Sequence, residues 1–202
     1  TRKESSAASD VYKRQGEHMA LNALAALIAV RDYGGDVSEA LEALTHFGGV
    51  NRRFQYHGHV GGIRVYDDYA HHPTEARAVL TAAREVADAD AQGLGHPGRV
   101  IVCFQPHLFS RTEQFAEEFA KALDLADYAI VLDIYGAREK PIPGVTSELI
   151  TTQLTIPHKY QPDFSKVPYD VAAIAEPGDI VLTMGAGNVT MEADAVIALL
   201  KG

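Results

Sequence analysis

The chain is poor in cysteine, in long apolar runs and in positive charge, and each shortage closes off a class of function. Cys103 is the single cysteine among 202 residues, which excludes an internal disulfide and any multi-cysteine metal site. It lies inside the apolar run Val100 to Phe104 and reads as a buried strand residue, not as a reactive thiol. No apolar stretch is long and uncharged enough to span a bilayer. No hydrophobic segment follows the amino-terminal charges, as a secretory signal requires. With 18 Lys and Arg against 27 Asp and Glu, the net charge of −9 argues against a nucleic-acid footprint, which needs a basic face. The sequence also contains no Gly-x-x-x-x-Gly-Lys-Ser/Thr phosphate loop.

What remains is a composition suited to a packed α/β core: 47% hydrophobic and 22% charged residues, with a length that fits one domain or one and a fraction. Residues 1–15 are polar and aperiodic and read as a disordered or non-native tail. From Gly16 to about Val50 two helices are expected. Met19, Asn22, Ala23, Ala26, Leu27 and Val30 recur at helical spacing, Gly34-Gly35 ends the first helix, and Asp36 with Glu39 resembles a capping box for a second, broken by Gly48-Gly49. Past a boundary near Asn51 to Phe54 the pattern alternates. Strands are predicted at 54–58, 63–68, 99–104, 127–132, 156–160 and 179–184, with helices at 73–90, 110–123, 146–154, 165–175 and 188–201. Such alternation implies a doubly wound, mostly parallel sheet.

Two polar segments stand out: Asp67-Asp68-Tyr69-Ala70-His71-His72-Pro73-Thr74-Glu75 and Phe104-Gln105-Pro106-His107-Leu108-Phe109-Ser110-Arg111-Thr112. Each follows an apolar run and leads into a helical pattern, so both sit at carboxyl ends of strands, where the ligand crevice of an open α/β sheet lies. Pro73 suits a first helical position and Glu75 its first turn. Ser110 and Glu113 have the spacing of another capping box, which sets Arg111 at a helix start. Imidazoles and a guanidinium at amide-rich helix ends attract a carboxylate or phosphate. Gly185-Ala186-Gly187, between a strand and a helix, serves either packing or a phosphate. Asp133, Arg138, Glu139 and Lys140 form a charged loop, either solvated or part of an interface.

These segments, together with Asn51-Arg52-Arg53-Phe54, Gly16-x-His18-x-x-x-Asn22, Asp133-Ile134-Tyr135 and Ala137-Arg138-Glu139, resemble the signature segments of the Mur ligases of peptidoglycan synthesis. The Gln105-Pro106-His107 segment is most similar to the branch that joins L-alanine to UDP-N-acetylmuramate. The resemblance implies a cytoplasmic, three-domain, ATP-dependent enzyme working through an acyl phosphate. Residues 16–53 would then be the helical end of a central ATPase domain, and 54–202 a Rossmann-like carboxyl-terminal domain. It further implies that the phosphate cradle and the Mg2+ ligands belong to the central domain. By the same resemblance, Asn22 matches a residue directed at adenine, Arg53 one directed at the ATP phosphates, and Asp67 one near the ribose. Tyr69 and His71 match the alanine and acyl-phosphate end, and Arg111 matches a cation for the amino-acid carboxylate. His107 and His72 are supporting positions. Leu108 stands where some relatives carry a second arginine.

Two other classes stay open on the residues alone. Asp67, Asp68, His71 and His72 are the side-chain types of a divalent-metal hydrolase, although neighbours on one short loop do not easily converge on one ion. A non-catalytic binding module retaining only the fold is the other.

Overall fold

The computed structural model describes residues 17–47, 50–89 and 97–202. The expected tail at 1–15, Gly16 of the Asn22 motif and the Gly48-Gly49 break lie outside the described residues. The chain divides into two compact units, Thr1–Asn51 and Arg52–Gly202.

In the first unit, helix α1 runs Glu17–Asp32 and α2 runs Val37–His46. Gly34 adopts φ +78°, and the amide of Gly35 reaches back to the carbonyl of Val30, which closes α1 as a glycine carboxyl cap does. Asp36 caps α2, its Oδ1 accepting from the amides of Ser38 and Glu39 at 2.7 and 3.2 Å.

The second unit contains one six-stranded sheet among the described residues: β1 Gln55–Val60, β2 Ile63–Asp68, β3 Val100–Phe104, β4 Tyr128–Leu132, β5 His158–Gln161 and β6 Ile180–Met184. The order is β1-β2-β6-β3-β4-β5. All neighbours are parallel except β1 with β2, a hairpin turning at Gly61-Gly62, both at positive φ. The helices of this unit are α3 Pro73–Ala89, α4 Phe109–Leu123, α5 Glu148–Thr151, α6 Val167–Ile174 and α7 Thr190–Leu200.

Chain direction across the sheet decides which face each helix covers. The crossovers β2 to β3, β3 to β4 and β4 to β5 advance one way, and β5 to β6 returns. Right-handed crossovers therefore place α3, α4 and α5 on one face and α6 on the other, where α7 joins it. Two apolar layers result. Val100, Val102, Phe104, Leu182 and Met184 meet α3 and α4, while Val65, Ile101, Cys103, Ile130 and Val181 meet α6 and α7. Strand alternation thus accounts for the continuous apolar runs, since both faces are covered.

Several element bounds differ from the sequence expectation: the strands expected at 54–58 and 156–160 run Gln55–Val60 and His158–Gln161, and three helices change more. The helix expected at 146–154 is only the single turn Glu148–Thr151, flanked by i to i−3 bonds at Leu149, Gln153 and Leu154. The Ser147 hydroxyl there donates to the Leu132 carbonyl instead of supporting a helix. The helix expected at 165–175 opens as a 3₁₀ turn, Phe164–Lys166, capped by Asp163. The helix expected from 188 starts at Thr190.

Burial pushes the Cys103 thiol up, and its side chain is fully enclosed in β3. A thiol reagent should accordingly leave Cys103 unmodified in the native chain and label it fully in denaturant; fast labelling of the native chain would contradict this packing.

Candidate functional site

The site is built around the carboxyl ends of β2, β6, β3 and β4, and its foundation is the Asp67-Asp68 doublet. Successive residues of a strand face opposite sides. Asp67 turns to the α7 face, where Thr183 and Thr190 hydroxyls donate to it at 2.7 and 2.8 Å and Arg52 Nε at 3.0 Å. Asp68 turns to the other face and accepts from the amides of Phe54 and Ala70 at 2.6 and 2.7 Å. Both side chains are buried. Arg52 also donates to the Gly185 carbonyl at 2.5 Å, and its own carbonyl accepts from the Tyr69 amide at 2.8 Å. The segment that opens the second unit is therefore tied to the ends of β2 and β6.

Burial, above all, raises the Asp68 carboxyl from an ordinary 3.8 to about 6, against the pull of the two amides and of Arg53. Asp67 was expected at a ribose. It lies fully buried with both oxygens hydrogen-bonded, and Arg52 carries its charge toward the surface.

The β2–α3 loop comes next. Tyr69 is 37% exposed, with the Arg52 guanidinium 4.8 Å and the Arg53 guanidinium 5.8 Å from its ring centroid. His71 meets Tyr69 edge-on at 5.1 Å, and its Nδ1 donates to the Tyr69 carbonyl at 3.0 Å. In the neutral ring that bond leaves Nε2 as the acceptor. Glu75 receives the His71 amide at 3.0 Å, and Pro73 begins α3, both in the places the sequence indicated. His72 turns away and packs its ring on Phe115.

The β3–α4 loop closes the cluster. His107 lies 5.6 Å from the His71 ring and is stacked on Tyr135. Arg111 Nη1 donates to the His71 carbonyl and to His107 Nδ1, each at 3.3 Å. Burial, first, and then the Arg111 cation hold His107 below the ordinary imidazole range, consistent with a neutral ring accepting at Nδ1. Tyr69, His71, His107 and Arg111 thus form one connected surface. Arg53 reaches its margin over Tyr69, whereas Asn22 stands on α1 in the other unit.

The Ser110 and Glu113 capping box does not form. Helix α4 begins at Phe109, and Leu108 precedes it at φ +72° with no side-chain cap. Ser110 instead donates through its amide at 2.9 Å and its hydroxyl at 2.5 Å to Glu139, on the loop after β4. Sequence spacing missed this because the partner is 29 residues away. The only local signal was the charged loop itself.

Gly185 and Gly187 pack closely against Gln105. A Cβ on Gly185 would stand 2.6 Å from the Gln105 carbonyl, and one on Gly187 would stand 2.3 Å from Gln105 Oε1. Among the described residues, the non-glycine positions at positive φ are Arg52, Phe54, Leu108 and Ala137, all in the segments that frame this cluster. Strain concentrated in this way is typical of functional loops.

No group of three or more His, Cys, Asp or Glu among the described residues is placed to hold a metal ion. The hydrolase reading fails on the same alternation that separates Asp67 from Asp68. A cavity of about 340 Å³ opens behind the β4 loop between Phe109, Asp133, Ile134 and Val145; none of the expected site residues lines it.

Residues 52–187 match the family described as Mur ligase, glutamate ligase domain. The UDP-N-acetylmuramate–L-alanine ligase of Rhodococcus erythropolis is 58% identical over 189 residues, covering 92% of this chain and 38% of its own length. The ligase of that name from Mycolicibacterium smegmatis is 52% identical over 186 residues, covering 92% and 37%. Among solved structures, the UDP-N-acetylmuramate-alanine ligase of Thermotoga maritima aligns at TM-score 0.70 with 30% identity, over 91% of this chain and 37% of that one. A murein peptide ligase from Psychrobacter arcticus shares the fold at TM-score 0.67 and 24% identity, over 93% and 38%. The chain therefore spans a little over a third of the length of the curated relatives it matches.

Asp68 generates a pH prediction. Its folded pKa lies above its unfolded one, so the folded state binds the extra proton. The stability it contributes is full below about pH 4 and is lost as pH rises through about 6. A shift of this size corresponds to about 3 kcal/mol. Unfolding free energies of the wild type and Asp68→Asn, measured from pH 4 to 7, should diverge by that order, with the wild type falling relative to the variant; parallel curves would contradict the assignment.

Proposed function

The chain belongs to the Mur ligase family, and from that premise we propose that it forms the carboxyl-terminal part of an ATP-dependent ligase joining L-alanine to UDP-N-acetylmuramate in cytoplasmic peptidoglycan synthesis. The observation that carries the reading is the continuous surface of Tyr69, His71, His107 and Arg111, where a guanidinium and two imidazoles converge beside a helix start.

Amide formation from an acyl phosphate needs two anionic partners held together and the charge of a tetrahedral intermediate neutralised. Arg111 holds the alanine carboxylate, with the neutral His107 beside it. The alanine amine attacks the acyl carbon, a C–N bond forms, and the C–O bond to phosphate breaks as inorganic phosphate leaves. His71 Nε2, kept as an acceptor by the Nδ1 bond to Tyr69, takes the amine proton. Tyr69 orders this end of the site with its ring.

Arg53 turns toward the ATP phosphates, Asn22 toward the adenine, and Asp67 supports the nucleotide side by fixing Arg52. ATP is the phosphoryl donor. Mg2+ would be held by the central domain, where it would neutralise the phosphate charge. Tyr69, His71 and Arg111 therefore serve both catalysis and substrate binding, and His107 serves substrate binding.

Two measurements check this reading. The 202 residues contain no phosphate loop, so the isolated chain should release no ADP from ATP above a buffer blank; sustained release would contradict the assignment. In a chimaera where this segment replaces the matching part of the Rhodococcus erythropolis relative, Arg111→Ala should raise KM for alanine by roughly tenfold or more and leave KM for ATP nearly unchanged. An equal rise in both would remove the role given to Arg111.

A further inference from the structure

The charged loop after β4 has no part in the reaction above, yet its contacts lead into the site. Helix α4 starts without a side-chain cap of its own, because Leu108 occupies the cap position at φ +72°. The first-turn donors of a helix need acceptors from somewhere. Glu139 supplies them from another loop, taking both the amide and the hydroxyl of Ser110 at 2.9 and 2.5 Å.

The loop is shaped to deliver that carboxylate. Ala137 lies at φ +50°, the Glu139 amide turns back on the Gly136 carbonyl at 2.8 Å, and a Cβ on Gly136 would stand 2.7 Å from the Phe109 ring. The two loops are joined as well by the amides of Leu108 and Tyr135, which bond to the carbonyls of Tyr135 and Pro106 at 2.9 and 2.8 Å. Arg111 follows Ser110 by one residue. Its own contacts, to the His71 carbonyl and His107 Nδ1, are both 3.3 Å, at the long end for hydrogen bonds. These long contacts hold the guanidinium weakly, so where the helix start is anchored contributes to its direction.

We propose that Glu139 is a positioning residue that fixes the first turn of α4 and thereby aims Arg111 at the carboxylate of the incoming amino acid. The proposal rests on the substrate role given to Arg111, and a double-mutant cycle keeps the two claims apart. In the same chimaeric ligase, Glu139→Ala should raise KM for alanine roughly fivefold to tenfold and leave KM for ATP close to wild type, while the lost cap lowers the melting temperature by only a few degrees. Glu139→Gln, which retains one acceptor oxygen, should restore part of the loss. Ser110→Ala, which retains the amide contact, should produce a smaller rise.

In an Arg111→Ala background, Glu139→Ala should add almost nothing. Full additivity would overturn the proposal, since Glu139 would then act by a separate route. A rise in KM for alanine with Arg111→Ala but none with Glu139→Ala overturns it and leaves the role of Arg111 standing. No rise with Arg111→Ala removes the functional reading itself. If Glu139→Ala does not fold, the Gln and Ser110 variants decide the matter: unchanged KM for alanine in both overturns the proposal.

Discussion

A β-strand sends neighbouring side chains to opposite faces, and at the end of β2 this rule falls on two adjacent carboxylates. One aspartate organises the α7 side and holds Arg52. The other holds the Phe54 and Ala70 amides on the α3 side. The segment entering the domain, the loop leaving β2 and the turn after β6 are all tied to this pair, directly or through Arg52. A buried carboxylate lacking such partners would be costly, so the geometry of these loops and the ionisation of the doublet depend on each other.

Reactive groups are distributed around this anchor by a simple division of labour. Strand ends bring the loops together, buried polar groups fix the backbone, and the half-exposed rings and guanidinium of Tyr69, His71, His107 and Arg111 remain on the surface of the cluster. Residues that hold the backbone and residues that stay on the surface of the cluster are neighbours in sequence, as in Asp68-Tyr69 or Ser110-Arg111. The alternation of the strand and the turn of the helix separate them in space.

Most of the architecture was legible because apolar runs of four to six residues separated by helical patterns have few other solutions than a covered parallel sheet. The two polar loops were legible for a related reason: their position after strands fixed which edge they occupied. What escaped the sequence was long-range or saturating. Glu139 supplants the local Ser110 and Glu113 pairing from 29 residues away, and no spacing rule carries that information. Asp67 has the residue type of a ligand contact, but only the fold shows that Thr183, Thr190 and Arg52 converge on it. The region around 146–154 carries helical spacing, yet the hydroxyl of Ser147 is drawn to the Leu132 carbonyl, and the helix contracts to one turn.

The central claim is that this edge of the sheet receives the amino acid through Arg111. A crystal structure of the chimaeric ligase with ADP and the alanine substrate tests it most directly. The account predicts the alanine carboxylate within hydrogen-bonding distance of the Arg111 guanidinium, with the His71 ring facing the amine. A carboxylate bound elsewhere, with Arg111 still closed onto the His71 carbonyl and His107, would contradict it.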